Sequence, residues 1–167
     1  GFDGRLSSPI IEDALVNGLI KSGAEVVRIG LGPSPMLYYA FNVLDADAGI
    51  MITGSHNPSD YNGFKLLNRN GNFYGAEILK LAERAKLSKW KEYPGTKRFY
   101  SIEDSYIRNL VNSLDMKNEN ISVGWDVGNG STGNIIKKLI KYLPGKHLLI
   151  NEDIDGTFPA HHPDPTV

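Results

Sequence analysis

The chain has 167 residues, enough for one ordinary domain or one and a half small ones and too few for a large multidomain enzyme. Its 18 basic and 19 acidic side chains leave a formal charge of -1, so there is no global field for nucleic acid or an anionic membrane, and any bound anion must be gripped locally. Cysteine is absent, which excludes a disulfide framework and thiolate metal sites, and no apolar run approaches the roughly 18 residues of a membrane span.

In chain order, Ser8-Pro9 supplies a cap and a first-turn proline, and Ile11, Leu15, Gly18 and Leu19 follow at helical spacing, predicting a helix stopped by Gly23. Glu25 to Ile29 is a short β-branched strand, ended by Gly30, Gly32 and Pro33, and Ser34-Pro35 opens a helix reaching about Leu44. Ala48 to Ile52 is apolar without alternation, the pattern of a strand buried on both faces, and it runs directly into Thr53-Gly54-Ser55-His56-Asn57-Pro58. Phe64 to Leu67 predicts another short strand, and Ala76 to Leu87 a helix with Ile78, Leu81, Ala82 and Ala85 on one face.

Lys86 to Tyr100 is lysine-rich, contains Pro94-Gly95 and reads as a linker. Ser101 with Asp104 then forms a capping box for a helix whose core positions are Tyr106, Ile107, Leu110, Val111 and Leu114. Strand Ile121 to Val127, glycine turn Gly128 to Gly133, helix Asn134 to Leu143 and strand His147 to Ile150 repeat the earlier order. The expected architecture is α/β, a mixed or parallel sheet covered by helices, divided into residues 1–100 and the start of a second, similar unit at 101–167. The opening residues Gly1-Phe2-Asp3-Gly4-Arg5 read as a glycine-rich turn and lack a signal peptide's order, and the ends give the expectation of a segment of a longer, cytoplasmic protein.

In open α/β sheets ligands bind beyond the carboxyl ends of strands, where Thr53 to Asn57 falls. Gly54 permits close backbone approach, Ser55 offers a hydroxyl, His56 an imidazole, and Lys65 a cation ten positions after the serine. A serine that carries a phosphoryl group needs its oxyanions held and its line of attack defined, which asks for glycine backbone, a cation and a proton carrier. The same residues also suit an ordinary strand-to-helix loop. A serine hydrolase fits less well, because Thr53 and Asn57 stand where a nucleophile elbow requires glycines. For Arg5, support of this loop and a purely structural salt bridge both remain open.

The run Thr53 to Pro58 followed by Asn62-Gly63-Phe64-Lys65 resembles the phosphoserine loop of the α-D-phosphohexomutases of the phosphomannomutase/phosphoglucomutase type. Asp3 to Ser7, Pro33-Ser34-Pro35, Asp126 to Gly130, Asp155 to Pro159 and His161 to Pro165 are similar to that family in the same order. The resemblance implies four domains around a cleft, of which this chain supplies the first, without its first strand, and an incomplete second. It implies that Ser55 is phosphorylated and passes its phosphate between the 1 and 6 positions of a mannose or glucose phosphate through a hexose 1,6-bisphosphate, with that bisphosphate as activator. The Ser55 phosphate would ligate Mg²⁺, His56 and Lys65 would move protons, and Thr53, Gly54, Asn57 and Arg5 would support the loop. Thr53-Gly54 looks closer to the mannose and glucose enzymes than to the glucosamine branch, which carries Ala beside the serine. The metal-binding carboxylates and sugar-recognition loops belong to later parts of such proteins, so this chain alone is expected to be inactive.

The alternative is a nucleotide-binding module. Gly128-Asn129-Gly130-Ser131-Thr132-Gly133 fits G-x-G-x-x-G between a strand and a helix, with Asp153 about twenty residues beyond the last glycine. His161, His162 and Asp164 read as a turn in preference to a metal site, and Tyr38, Tyr39 and Phe41 as helix packing in preference to a base-stacking platform.

Overall fold

A computed structural model describes residues 1–87, 91–115, 120–164 and 166. In chain order it contains α1 (Ser8–Lys21), β1 (Glu25–Arg28), α2 (Ser34–Val43), β2 (Ala48–Ile52), β3 (Phe64–Asn68), β4 (Gly71–Phe73) and α3 (Ala76–Lys86). There follow β5 (Thr96–Phe99), α4 (Glu103–Asn112), β6 (Ser122–Asp126), α5 (Gly133–Leu139) and β7 (Lys146–Ile150). The chain is mixed α/β: β1 runs parallel to β5, β6 runs parallel to β7, and β2, β3 and β4 form an antiparallel sheet in that order.

Gly1 to Asp3, read from sequence as a turn, lie between the first two sheets. Phe2 bridges in parallel to Leu31 on one side and to Ile52 on the other. The Phe2 N–H donates to the Gly30 carbonyl at 3.2 Å and the Asp3 N–H to the Ile52 carbonyl at 2.9 Å. Arg5 therefore leaves the sheet beside the carboxyl end of β2, where the Thr53–Pro58 loop begins.

β2 is apolar throughout because it is covered on both sides, with Met51 and Ile52 buried. Met36, Leu37 and Ala40 of α2 join Met51 and Leu67 in a hydrophobic cluster that continues through Ile102, Tyr106 and Ile107 to Ile135 and Leu139 of α5. Tyr38, Tyr39 and Phe41 pack on its rim, and the Tyr39 and Tyr106 rings lie 5.6 Å apart.

Four local expectations are corrected. The buried face of α1 is Ser8, Glu12 and Val16, because Glu12 turns inward to meet Arg28, whose Nε donates to Glu12 Oε2 at 3.1 Å. The stretch expected as a linker returns to the sheet as β5, pairing Glu25 with Thr96 and Arg28 with Phe99; residues 88–90 lie outside the described residues. The apolar stripe of α3 exists but is not covered: none of its residues is buried, and Ile78 and Leu81 are exposed. Ser101 does not cap α4. Burial of Ile102, 0 % exposed, moves the start one residue on, and Glu103 and Asp104 are drawn to Lys138 of α5 at 2.5 and 3.2 Å.

Candidate active site

The loop after β2 is built around two buried charges. Asp3 accepts from the Arg5 N–H at 3.2 Å, Arg5 Nε at 3.1 Å, Ser8 Oγ at 2.7 Å and the Gly54 N–H at 3.2 Å. Arg5 is 1 % exposed, and the rest of its guanidinium faces loop carbonyls: Nη2 donates to Ser55 at 3.0 Å and Asn57 at 2.8 Å, and Nη1 to Tyr61 at 3.0 Å and to Pro58. The planar fork of arginine suits this task, since its N–H groups diverge in one plane and remain charged. Arg5 is thus salt-bridged to Asp3 and hydrogen-bonded to the loop carbonyls at the same time.

Gly54 stands where the chain crosses this guanidinium. A Cβ there would lie 2.4 Å from Arg5 Cζ and 2.7 Å from the Tyr61 carbonyl oxygen, so glycine is required by close approach. Asn57 closes the turn, its N–H and Nδ2 both donating to the Gly54 carbonyl at 3.1 and 2.8 Å. Thr53 Oγ1 accepts the Ser55 N–H at 3.0 Å. On the far side, Asn62 Nδ2 donates to Ser7 Oγ and Ser8 Oγ, both at 2.9 Å, tying the loop's return to the start of α1.

Ser55, held by these contacts, has φ 54°, the left-handed region that a non-glycine residue enters at some cost. It is exposed and lines an open cavity of about 210 Å³. The opposite wall of that cavity comes from the turn after β6 and from the chain's last segment: Asp126, Gly128, Gly130, Ser131, Phe158 and His161. His56 and Lys65 are exposed and do not line it. Lys65 sits in β3 opposite Met51, and His56 lies within electrostatic reach of Asp164.

Asp126 and His161 form the charged part of the opposite wall, with His161 Nε2 3.0 Å from Asp126 Oδ2. Asn151 Nδ2 and the Gly128 N–H donate to Asp126 Oδ1 at 2.9 and 3.0 Å, which with His161 lowers its pKa below the ordinary carboxylate value. The His161 pKa is raised, first by its hydrogen bond to the His162 carbonyl at 3.1 Å and then by Asp126. In the sequence Asp126 is a motif member, His161 is weighed as a metal ligand and read as part of a turn, and Asp3 carries no assigned role; the loop that Asp3 and Arg5 both reach lies about fifty residues away. His162 Nδ1 accepts the Asp164 N–H at 3.1 Å. Asp153 pairs with Lys137 at 2.7 Å, so the carboxylate invoked for nucleotide binding is engaged on the protein itself.

Among the described residues no three histidine, aspartate or glutamate side chains group to hold a metal ion, and the Asp3 and Asp126 oxygens are occupied by donors. Mg²⁺ prefers near-octahedral oxygen ligation. These residues do not supply it, and a phosphate on Ser55 would add oxygen donors of the right kind.

The arrangement is an α/β loop site at the carboxyl end of a buried strand, with a serine presented over a cationic brace. Residues 1–91 match the family model for phosphoglucomutase/phosphomannomutase, alpha/beta/alpha domain I. The chain therefore belongs to the phosphoglucomutase/phosphomannomutase family. It is 39% identical over 165 residues to a phosphomannomutase/phosphoglucomutase of Pseudomonas putida, covering 99% of this chain and 35% of that protein. It is 33% identical over 171 residues to a probable phosphoglucosamine mutase of Methanothermobacter thermautotrophicus, covering 99% of this chain and 38% of that one. A crystal structure of a phosphoglucomutase/phosphomannomutase family protein from Burkholderia thailandensis superposes with a TM-score of 0.91 at 36% identity, over 99% of this chain and 38% of that chain. The chain thus spans about a third of the length of these relatives.

Proposed function

We propose that this chain is the phosphoserine-bearing portion of a phosphohexomutase that moves a phosphoryl group between the 1 and 6 positions of a mannose or glucose phosphate. The observation that carries the reading is Ser55 itself, exposed at the end of β2 in a left-handed conformation, on a loop whose carbonyls are gathered by a buried arginine. Family membership and relatives named for this chemistry support it.

In the proposed cycle a sugar hydroxyl attacks the phosphorus of phospho-Ser55, and the P–O bond to Ser55 Oγ breaks as the bisphosphate forms. The hydroxyl proton passes to a base, for which Lys65 is the first candidate and His56 the second, and a proton returns to Ser55 Oγ. After the bisphosphate turns over, Ser55 Oγ attacks its other phosphate and the steps reverse. Most of the rate in such a transfer comes from position and charge. Thr53, Gly54, Asn57 and Arg5 serve position by holding the Ser55 backbone. Mg²⁺ held by the Ser55 phosphate and by groups beyond those described would supply charge neutralisation.

The division into residues 1–100 and 101–167 belongs to the same reading. It is supported by β5 pairing back to β1 and, among the described residues, by β6 and β7 pairing only with each other. The chain alone is proposed to be inactive, since the cavity that Ser55 lines, about 210 Å³, falls below the roughly 300–1,000 Å³ of most small-molecule sites. Among the described residues no helix is long and apolar enough to cross a membrane; a cytoplasmic location remains part of the proposal.

The test is incubation of the full-length protein with glucose 1,6-bisphosphate, followed by intact-mass measurement and peptide mapping. One phosphoryl group on Ser55 is expected. Ser55→Ala is expected to take none and to lose about three orders of magnitude or more in turnover, because it removes the nucleophile. Phosphate mapped to Ser34 or Ser131, or near-normal turnover of Ser55→Ala, would reverse the assignment.

A further inference from the structure

The Asp155–Pro159 motif has no part in the cycle above, yet it rests directly on the brace beneath Ser55. The Arg5 guanidinium lies over the Phe158 ring, with Cζ 5.1 Å from the ring centroid. The N–H edges of that cation are taken by Asp3 and the loop carbonyls, so its faces are what remain available to a neighbour. Phe158 has φ 53°, which a bulky side chain rarely adopts and which persists only where the surroundings impose it.

The surroundings do impose it. The Phe158 N–H donates to the Asp155 carbonyl at 3.0 Å, and Thr157 donates from N and Oγ1 to Asp155 Oδ1 at 2.9 and 2.7 Å. Gly156 is pressed against the backbone that carries Arg5: a Cβ there would lie 2.5 Å from the Gly4 carbonyl oxygen and 2.8 Å from Arg5 Cα. The strained aromatic is therefore aimed at Arg5 by a rigid turn that is itself keyed onto the Arg5 backbone.

We propose that Phe158 is a positioning residue for Ser55, acting through Arg5. By covering the guanidinium face it excludes water from the cation and keeps the fork flat against the carbonyls of Ser55, Asn57 and Tyr61, so that order in the Asp155–Phe158 turn becomes order in the serine loop. An aromatic face does this better than an aliphatic one of similar bulk, because its quadrupole attracts the cation it dries. The effect on phosphoryl transfer rests on the function proposed above; the effect on the loop does not.

The experiment compares full-length wild type with Phe158→Leu, Phe158→Met and Phe158→Tyr. Amide hydrogen exchange is followed by mass spectrometry, together with phosphorylation of Ser55 by glucose 1,6-bisphosphate, kcat and KM. In Phe158→Leu, exchange across residues 53–63 should quicken by about tenfold, the order of effect a desolvated cation–π contact supplies, while exchange in β6 and β7 stays at the wild-type rate. Phosphorylation and kcat should fall by a similar factor with KM nearly unchanged, and Phe158→Tyr, which restores the ring, should return both towards wild type. Phe158→Met gives the same comparison should the leucine variant not fold. Wild-type exchange at 53–63 in the aliphatic variants, equal quickening in β6 and β7, or failure of tyrosine to rescue would each overturn the inference. A wild-type protein that takes no phosphate on Ser55 would instead overturn the proposed function and leave the exchange result to decide this one.

Discussion

Arg5 donates to the Ser55 carbonyl at 3.0 Å, so the serine proposed to carry phosphate is held from behind through its own backbone while its side chain faces the cavity. The two residues are fifty positions apart, and the contact needs Gly1 to Asp3 to lie alongside β2. Position at the site and stability of the fold are consequently carried by one side chain.

Arg5→Met is expected to destabilise the protein by about 3–5 kcal/mol, the cost of leaving one partner of a buried ion pair uncompensated, here Asp3, with four loop carbonyls also losing a donor. Arg5→Lys should lose less, because it keeps the charge but not the planar fork. Urea denaturation measures both, and a loss under about 1 kcal/mol for Arg5→Met would show that the brace contributes little.

Gly54→Ala and Ser55→Gly should separate geometry from chemistry in neighbouring positions. The alanine Cβ would lie 2.4 Å from Arg5 Cζ, and displacing that group should cost about 1–3 kcal/mol and slow phosphorylation of Ser55. Glycine at position 55 accepts the 54° φ without strain, so thermal stability should hold or rise by a few tenths to about 1 kcal/mol while phosphoryl acceptance is lost. Equal melting temperatures for wild type and Gly54→Ala would contradict the close approach.

Titration of the His161 ring should have its midpoint above the ordinary 6.5. Because folding raises this pKa, the contribution of charged His161 to stability is complete below 6.5 and is lost as pH rises through the raised value. Asp126 behaves oppositely: its contribution is complete above 3.8 and is lost as pH falls through its depressed value. The pair is therefore charged on both sides from the acid end of the carboxylate range to beyond 6.5. Asp126→Asn should lower the His161 midpoint only in part, since the His162 carbonyl is the larger cause. NMR of the ring Cε1 proton reads both values, and a wild-type midpoint at or below 6.5 would exclude the arrangement.

What could be read from sequence was what is local in the chain. Ala48 to Ile52 announces a covered strand because every residue in it is apolar or glycine, and the glycine, serine and asparagine that shape the next turn follow without a break. Ser55, Thr53, Gly54 and Asn57 could therefore be placed on one loop before any coordinates, and the family resemblance lay in the same short run. Tertiary structure decided the rest. Arg5 becomes a brace only when the opening residues pair beside Ile52, and β5 becomes a strand, in spite of its lysine and arginine, only because β1 offers an open edge. Helical periodicity correctly found the stripe of α3 but could not tell that nothing among the described residues buries it, nor that Ile102 would displace Ser101 from the cap of α4. His161 meets Asp126 across 35 positions and Phe158 packs on Arg5 from the other end of the chain, because chain closure brings distant segments together, and residue periodicity holds no record of closure.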